Sequence, residues 1–193
     1  MPDERVVSLE QRLAEHLEAG DLRAAATEAV RGYGPELAGY LRAVLRDSTE
    51  ADEVFSGVCE KLWNGIGRFR GDSSLRTWLY RVAFNAACDF QKERARNPVR
   101  RLETSEASAL AAEILSTHPA APDDALDRLR KTLDPEEQTL LTLRLHAKLS
   151  WKEIGGVIGE PGSPIDEAAM RKRFERLKVK LRELARAEGL LEG

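Results

Sequence analysis

The sequence predicts an all-α protein made of two small helical domains joined by a flexible linker, and three observations carry that reading. Apolar residues recur at helical spacing through most of the chain, as at Leu9, Leu13 and Leu17, then Leu37, Leu41 and Leu45, then Phe55, Val58, Leu62 and Ile66. No segment sustains the apolar/polar alternation of a strand. Between residues 98 and 122 the periodicity lapses into a stretch rich in Ser, Thr, Ala and Glu, ending in His118-Pro119-Ala120-Ala121-Pro122.

The first domain, 1–97, reads as a bundle of four or five helices. Breaks are expected at Ala19-Gly20-Asp21, at Gly32-Tyr33-Gly34-Pro35, near Asp47-Ser48-Thr49 and from Gly67 to Ser74. Asn97-Pro98 is a stop, because the residue before proline is pushed out of the α region. The linker, 98–122, has room for a short helix around Ala107 to Leu115. The second domain, 123–193, opens with Leu126, Leu129 and Leu133 on one face. Asp134-Pro135 then restarts the chain, with Asp134 as N-cap, Pro135 in the first helical position and Glu137 closing a capping box. Leu140, Leu141, Leu143 and Leu145 make that helix mostly buried. Ser150-Trp151-Lys152-Glu153 is a second box, opening a short helix from Trp151 to Ile158 that ends at Gly159. Ser163-Pro164-Ile165-Asp166 has the same form, which starts the final helix near Pro164.

Charge is distributed in blocks. The total of −3 conceals net charges of −7 over 1–60, +7 over 61–101, −7 over 102–167 and +6 over 168–186. A local field, not a net charge, draws a polyanion to a site, so two basic islands suggest two anionic contacts. Solvated helix faces would give the same counts.

The first island interleaves Trp78, Tyr80, Phe84 and Phe90 with Arg68, Arg70, Arg76, Arg81, Lys92, Arg94 and Arg96. Aromatic rings beside guanidinium groups suit single-stranded nucleic acid, where bases stack while cations hold phosphates. Leu75, Trp78, Leu79, Val82 and Ala86 also form a core stripe, which leaves Thr77, Tyr80 and Phe84 pointing away from it. On the final helix Met170, Phe174, Leu177, Leu181 and Leu184 face a core. Ala169, Lys172, Arg176 and Lys180 then fall on the opposite side, with Arg173 at its edge. A short helix, a Gly-bearing turn and a basic second helix are the parts of a DNA-reading helix-turn-helix. An ordinary amphipathic helix would show the same pattern.

Other classes find little support. Neither Cys59 nor Cys88 has a CxxC partner, and both read as buried reduced thiols. His16, His118 and His146 lie in different segments, and GVIGEPG follows a helix rather than the strand that a phosphate-cradling loop needs. No enzyme activity, cofactor, metal or small-molecule substrate is expected. The N-terminus lacks the order of a signal peptide and no apolar run could span a membrane, so a cytoplasmic protein without membrane insertion is expected.

The order of motifs resembles the bacterial extracytoplasmic-function sigma factors. It runs from AGD through YGPELAGYLRAVL, ADEVFSGVCEKLW and RFRGDSSLRTWLYRVAFNAACDF to LDPEEQTLLTLRLHAKLSWKEIGGVIG. The resemblance implies an RNA polymerase sigma factor that directs promoter-specific initiation. Its first domain, like sigma region 2, would grip the polymerase clamp and melt the minus-ten element. Its second, like sigma region 4, would read the minus-thirty-five element. Core RNA polymerase, promoter DNA and an anti-sigma factor are the implied partners. Arg68, Arg70, Ser73, Ser74, Arg76, Thr77, Trp78, Arg81 and Asn85 match the melting and minus-ten segments, joined on chemical grounds by Tyr80 and Phe84. Asp52 and Glu53 match the acidic clamp-contact helix, although Ser56-Gly57 stands where the family usually has Gln-Glu. In the helix-turn-helix the candidates are Ser150, Trp151, Lys152, Asp166, Glu167, Ala169, Lys172, Arg173, Arg176 and Lys180. The turn before MRKRF is longer than the family's. With a helix starting at Pro164 the excess forms an added helical turn, whose carboxylates either read a cytosine amino group or hold the helix off the phosphates. The alternative is a helix-turn-helix regulator or sigma-like decoy that does not recruit polymerase.

Overall fold

A computed structural model describes residues 4–45, 47–94, 106–117, 132–160 and 162–187. The chain divides into two compact units, Met1–Ala120 and Ala121–Gly193. Among the described residues there is no strand, only one isolated bridge between Glu160 and Ser163.

The first unit holds α1 (Glu4–Glu18), α2 (Leu22–Leu45), α3 (Ser48–Gly65), a 3-10 turn (Ile66–Arg68), α4 (Leu75–Arg94) and α5 (Glu106–Thr117). Three of the expected breaks are present. Gly20 takes a positive φ of 73° between α1 and α2, and Asp47 caps α3 by accepting from the Glu50 amide at 3.0 Å. Before α4, Ser74 Oγ accepts from the Thr77 amide at 3.1 Å.

The expected break at Gly32-Tyr33-Gly34-Pro35 is absent, and α2 runs through Pro35 without interruption. Close approach, not chain reversal, explains the glycines. A β-carbon on Gly32 would stand 2.3 Å from a Leu9 methyl on α1, and one on Gly34 would stand 3.3 Å from Ile114 on α5 and 3.4 Å from Phe55 on α3. Pro35 forfeits one backbone hydrogen bond. Tyr33, Leu37, Ala38, Tyr40 and Leu41 are all buried around it, and that burial outweighs the loss.

The segment expected as linker is therefore only partly a connection. Its helix, α5, packs on α2 and α3 through Ala107, Leu110, Ala111 and Ile114 and belongs to the first unit. The expected stop at Asn97-Pro98, the His118–Pro122 segment and the face formed by Leu126 and Leu129 lie outside the described residues. Both cysteines are free, Cys59 buried and Cys88 only half-buried. Burial pushes the Cys59 thiol up to about 12.

The second unit holds α6 (Pro135–Leu145), α7 (Trp151–Ile158) and α8 (Glu167–Ala187). The first two expected capping boxes form. Asp134 accepts from the Glu137 amide while Glu137 accepts from the Asp134 amide, and Ser150 and Glu153 do the same. Leu133, Leu143, Leu149, Ile154, Val157 and Met170 are core residues, whereas Leu145 is 54% exposed, contrary to expectation.

The third expected box does not form. α8 starts at Glu167, three residues later than expected, and its cap is Asp166, whose carboxylate accepts from the Ala168 and Ala169 amides at 2.7 and 3.2 Å. The residues before it turn back instead. Ser163 donates to the Glu160 carbonyl at 3.0 Å across a tight turn with Gly162 at φ 80°. Ile165 then donates to the Gly155 carbonyl at 3.1 Å, which also accepts from Gly159. The extra length is a loop folded onto α7, not an additional helical turn.

Candidate nucleic-acid interface

In the first basic island the residues divide by exposure. Arg68 and Arg70 are exposed on the 3-10 turn and the loop after it, along with Ser73 and Ser74. Between the two arginines, half-buried Phe69 packs against Trp78 with ring centroids 5.8 Å apart. Trp78 is itself half-buried, so it is not the core residue that the stripe predicted. A half-buried ring pair with two exposed arginines beside it offers stacking and phosphate contact together. Arg81 and Phe84 are half-buried and Asn85 is exposed further along α4.

Tyr80 and Thr77 were expected to face away from the core, but both are buried, at 3% and 5% exposure. The stripe is rotated from its expected position: Leu75, Leu79, Ala83, Ala86 and Ala87 are buried, and Val82 is half-buried. Glu36 on α2 bonds the residues on the rotated face. Its Oε2 accepts from Arg76 Nε at 3.0 Å, from Arg76 Nη2 at 2.6 Å and from the Tyr80 hydroxyl at 3.1 Å. The Tyr80 ring meets Tyr40 edge-on at 5.6 Å. Burial first, and Glu36 second, raise the Tyr80 pKa. Burial opposes the Arg76 charge, but the Glu36 hydrogen bond and charge prevail and its pKa rises too. Arg76 and Tyr80 therefore tie α4 to α2 rather than stand open for a ligand. Thr77 shares a 2.8 Å hydroxyl contact with the Ser74 cap. Neither Glu36 nor Phe69 was singled out from the sequence; the Phe69 signal is its place between two arginines, while Glu36 has none.

On α3, Asp52 and Glu53 are half-exposed. Asp52 accepts from Arg42 Nε at 3.0 Å, and Glu53 Oε1 is buried without a hydrogen-bond partner. Ser56 is buried and donates to the Asp52 carbonyl at 3.1 Å. A β-carbon on Gly57 would meet nothing within 4 Å, so packing does not require that glycine.

In the second unit the stripe Met170, Phe174 and Leu177 is buried as expected, with Leu181 and Leu184 half-buried at its end. Trp151 is held between Phe174, at 5.3 Å between rings, and the Arg144 guanidinium, 4.4 Å from its centroid. It is thus a packing residue at the motif's edge, while Lys152 is exposed. Ser150 is committed to its capping box. Of the expected basic face, Arg173 pairs with Glu136 and Lys180 pairs with Glu137, both on the first turn of α6. Asp166 is committed to the helix cap, and Glu167 pairs with Arg171 at 3.2 Å. Lys172 and Arg176 are exposed one turn apart and make no ion pair among the described residues, with Ala169 half-buried a turn before them. Among the described residues no group of three or more His, Cys, Asp and Glu could hold a metal ion. No described helix is long and apolar enough to cross a membrane.

The family model for sigma-70 region 2 matches residues 29–97. The chain is 30% identical to an RNA polymerase sigma-H factor of Pseudomonas aeruginosa over 178 residues, covering 85% of this chain and 90% of that one. It is 28% identical to the ECF RNA polymerase sigma-E factor of Escherichia coli over the same shares. Among solved structures, CnrH in complex with the cytosolic domain of CnrY matches with a TM-score of 0.63 at 23% identity, over 93% of this chain and 98% of that one. The sigma factor RpoE of Bartonella quintana, in complex with the anti-sigma factor NepR, matches with a TM-score of 0.60 at 16% identity, over 82% and 95%. With two helical units, the region 2 match and full-length relatives of that name, the chain belongs to the extracytoplasmic-function RNA polymerase sigma factors, alternative sigma factors that act in transcription initiation.

Proposed function

We propose that the two units divide the promoter between them, and the observation that carries this reading is the Phe69–Trp78 ring pair flanked by exposed Arg68 and Arg70. The first unit captures unpaired bases of the minus-ten element on that pair, with Arg81, Phe84 and Asn85 continuing the track along α4. Capture on the rings has to offset only the few kcal/mol that extruding each base costs, without nucleotide hydrolysis, so the chain works by binding and not as an enzyme. Asp52 and Glu53 on α3 contact core polymerase. In the second unit Lys172 and Arg176 approach the minus-thirty-five duplex, with Lys152 at the start of α7 as a phosphate contact. Because CnrH and RpoE are seen with CnrY and an anti-sigma factor respectively, an anti-sigma factor is proposed as the regulatory partner, and the cytoplasm as the place of action. The test adds the purified protein to core polymerase on a promoter from its own genome, with no other sigma factor present. Specific transcripts support the reading; duplex binding without transcripts would identify a helix-turn-helix regulator instead.

A further inference from the structure

Helix α5 lies along a particular stripe of α3. Ser108, in its first turn, donates to Glu60 Oε1 at 3.0 Å. Ile114, near its end, and Phe55 both close on Gly34, within 3.3 and 3.4 Å of where its β-carbon would stand. The direction from Ser108 to Ile114 thus follows α3 backwards from Glu60 toward Phe55. Glu53, Ser56 and Glu60 are three and four residues apart and share one side of α3. Along that side Glu60 is bonded to α5, Ser56 is buried, and Glu53 Oε1 is buried with no partner.

The cover is imperfect at one end. Followed along α3, that direction brings Glu53 toward the C-terminal turn of α5, where the helix dipole is negative and opposes a carboxylate. A buried carboxylate oxygen without a donor adds a desolvation cost that lifting the cover would relieve. At the other end the tethers are polar, the Arg23–Glu106 pair exposed and the Ser108–Glu60 bond half-buried. α5 has only 12 residues, too few for stable helix in isolation. Its order therefore depends on remaining docked.

We propose that α5 masks the Glu53–Ser56–Glu60 side of α3 in the free protein and that core polymerase displaces it on binding. This rests on the reading of Asp52 and Glu53 as polymerase contacts. Ser56 fits the same picture, since a small side chain there leaves room for the covering helix.

The experiment follows hydrogen exchange of residues 106–117 in the full-length protein, alone and with core polymerase, beside core affinities of two variants. Ile114→Asp removes the apolar anchor; Glu106→Gln with Ser108→Ala removes only the tethers and decides the matter if Ile114→Asp does not fold. Masking predicts faster exchange of α5 in the complex and tighter core binding by the variants, roughly tenfold if about one molecule in ten is uncovered at rest. Unchanged or slower α5 exchange in the complex would overturn the proposal. So would folded variants that bind core no tighter than the parent. If the parent itself does not bind core, the polymerase-contact reading beneath the proposal fails, and that outcome is distinct from the others.

Discussion

A β-carbon on Gly155 would stand 2.0 Å from the carbonyl oxygen of Ile165, because the loop leading into α8 folds directly over α7. The obstacle is backbone, so it cannot rotate aside. Gly155→Ala is expected to displace the loop and the start of α8, costing about 2–4 kcal/mol in the second unit. Trp151 is the only tryptophan of that unit. In a background with Trp63 and Trp78 replaced by Phe, its fluorescence during denaturant unfolding measures the loss.

The ion pairs of α8 separate its basic residues into two kinds. Arg176→Ala is expected to weaken duplex binding and lower the salt slope by about 1, as loss of a phosphate contact does. Arg173→Ala removes a side chain already paired with Glu136, so a smaller change in slope is expected. Titrations of a minus-thirty-five duplex at several salt concentrations compare them; equal slopes for both variants would refute the distinction.

Glu36 holds both Arg76 and Tyr80, so its loss should damage stability before recognition. Glu36→Ala leaves a half-buried guanidinium without its carboxylate, at a cost of about 1–2 kcal/mol. Tyr80→Phe removes one hydroxyl hydrogen bond, costing about 1 kcal/mol, and should leave promoter opening near the parent level. Trp78→Ala should do the reverse, with a small stability loss and a large defect in open-complex formation read by permanganate footprinting.

Cys59 provides a pH signature. Its thiol is raised from 9.0 to about 12 by burial, so between those values the unfolded chain has lost a proton that the folded one retains. Stability then falls as pH rises through that window. Tyr33 and Tyr80, also raised by burial, act in the same direction at higher pH. Denaturant midpoints from pH 8 to 11 should decline less steeply in Cys59→Ala than in the parent.

What the sequence revealed was what neighbours within one helical turn decide. Asp134 with Glu137, and Ser150 with Glu153, are pairs three residues apart, and Met170, Phe174 and Leu177 follow one helix's own period. The failures came from partners distant in sequence. Gly32 and Gly34 were legible as helix breakers only because Leu9, Phe55 and Ile114, which press on them, could not be placed. Tyr80 and Arg76 had the composition of a nucleic-acid contact and became structural through Glu36, some forty positions away. Ser163-Pro164 had the chemistry of a cap, yet the backbone bond from Ile165 to Gly155 holds that segment in a loop and leaves the capping to Asp166.

That loop has a consequence for how such a protein can change. Its base is fixed by Ile165 on Gly155 and by the Asp166 cap, while Gly162, Ser163 and Pro164 at its tip are exposed. Insertions beside Ser163 are expected to leave the start of α8 where it is, whereas Gly162, at φ 80°, resists replacement. The lead-in and α8 are thus separable, and the tip offers a graft point that leaves the start of the helix in register.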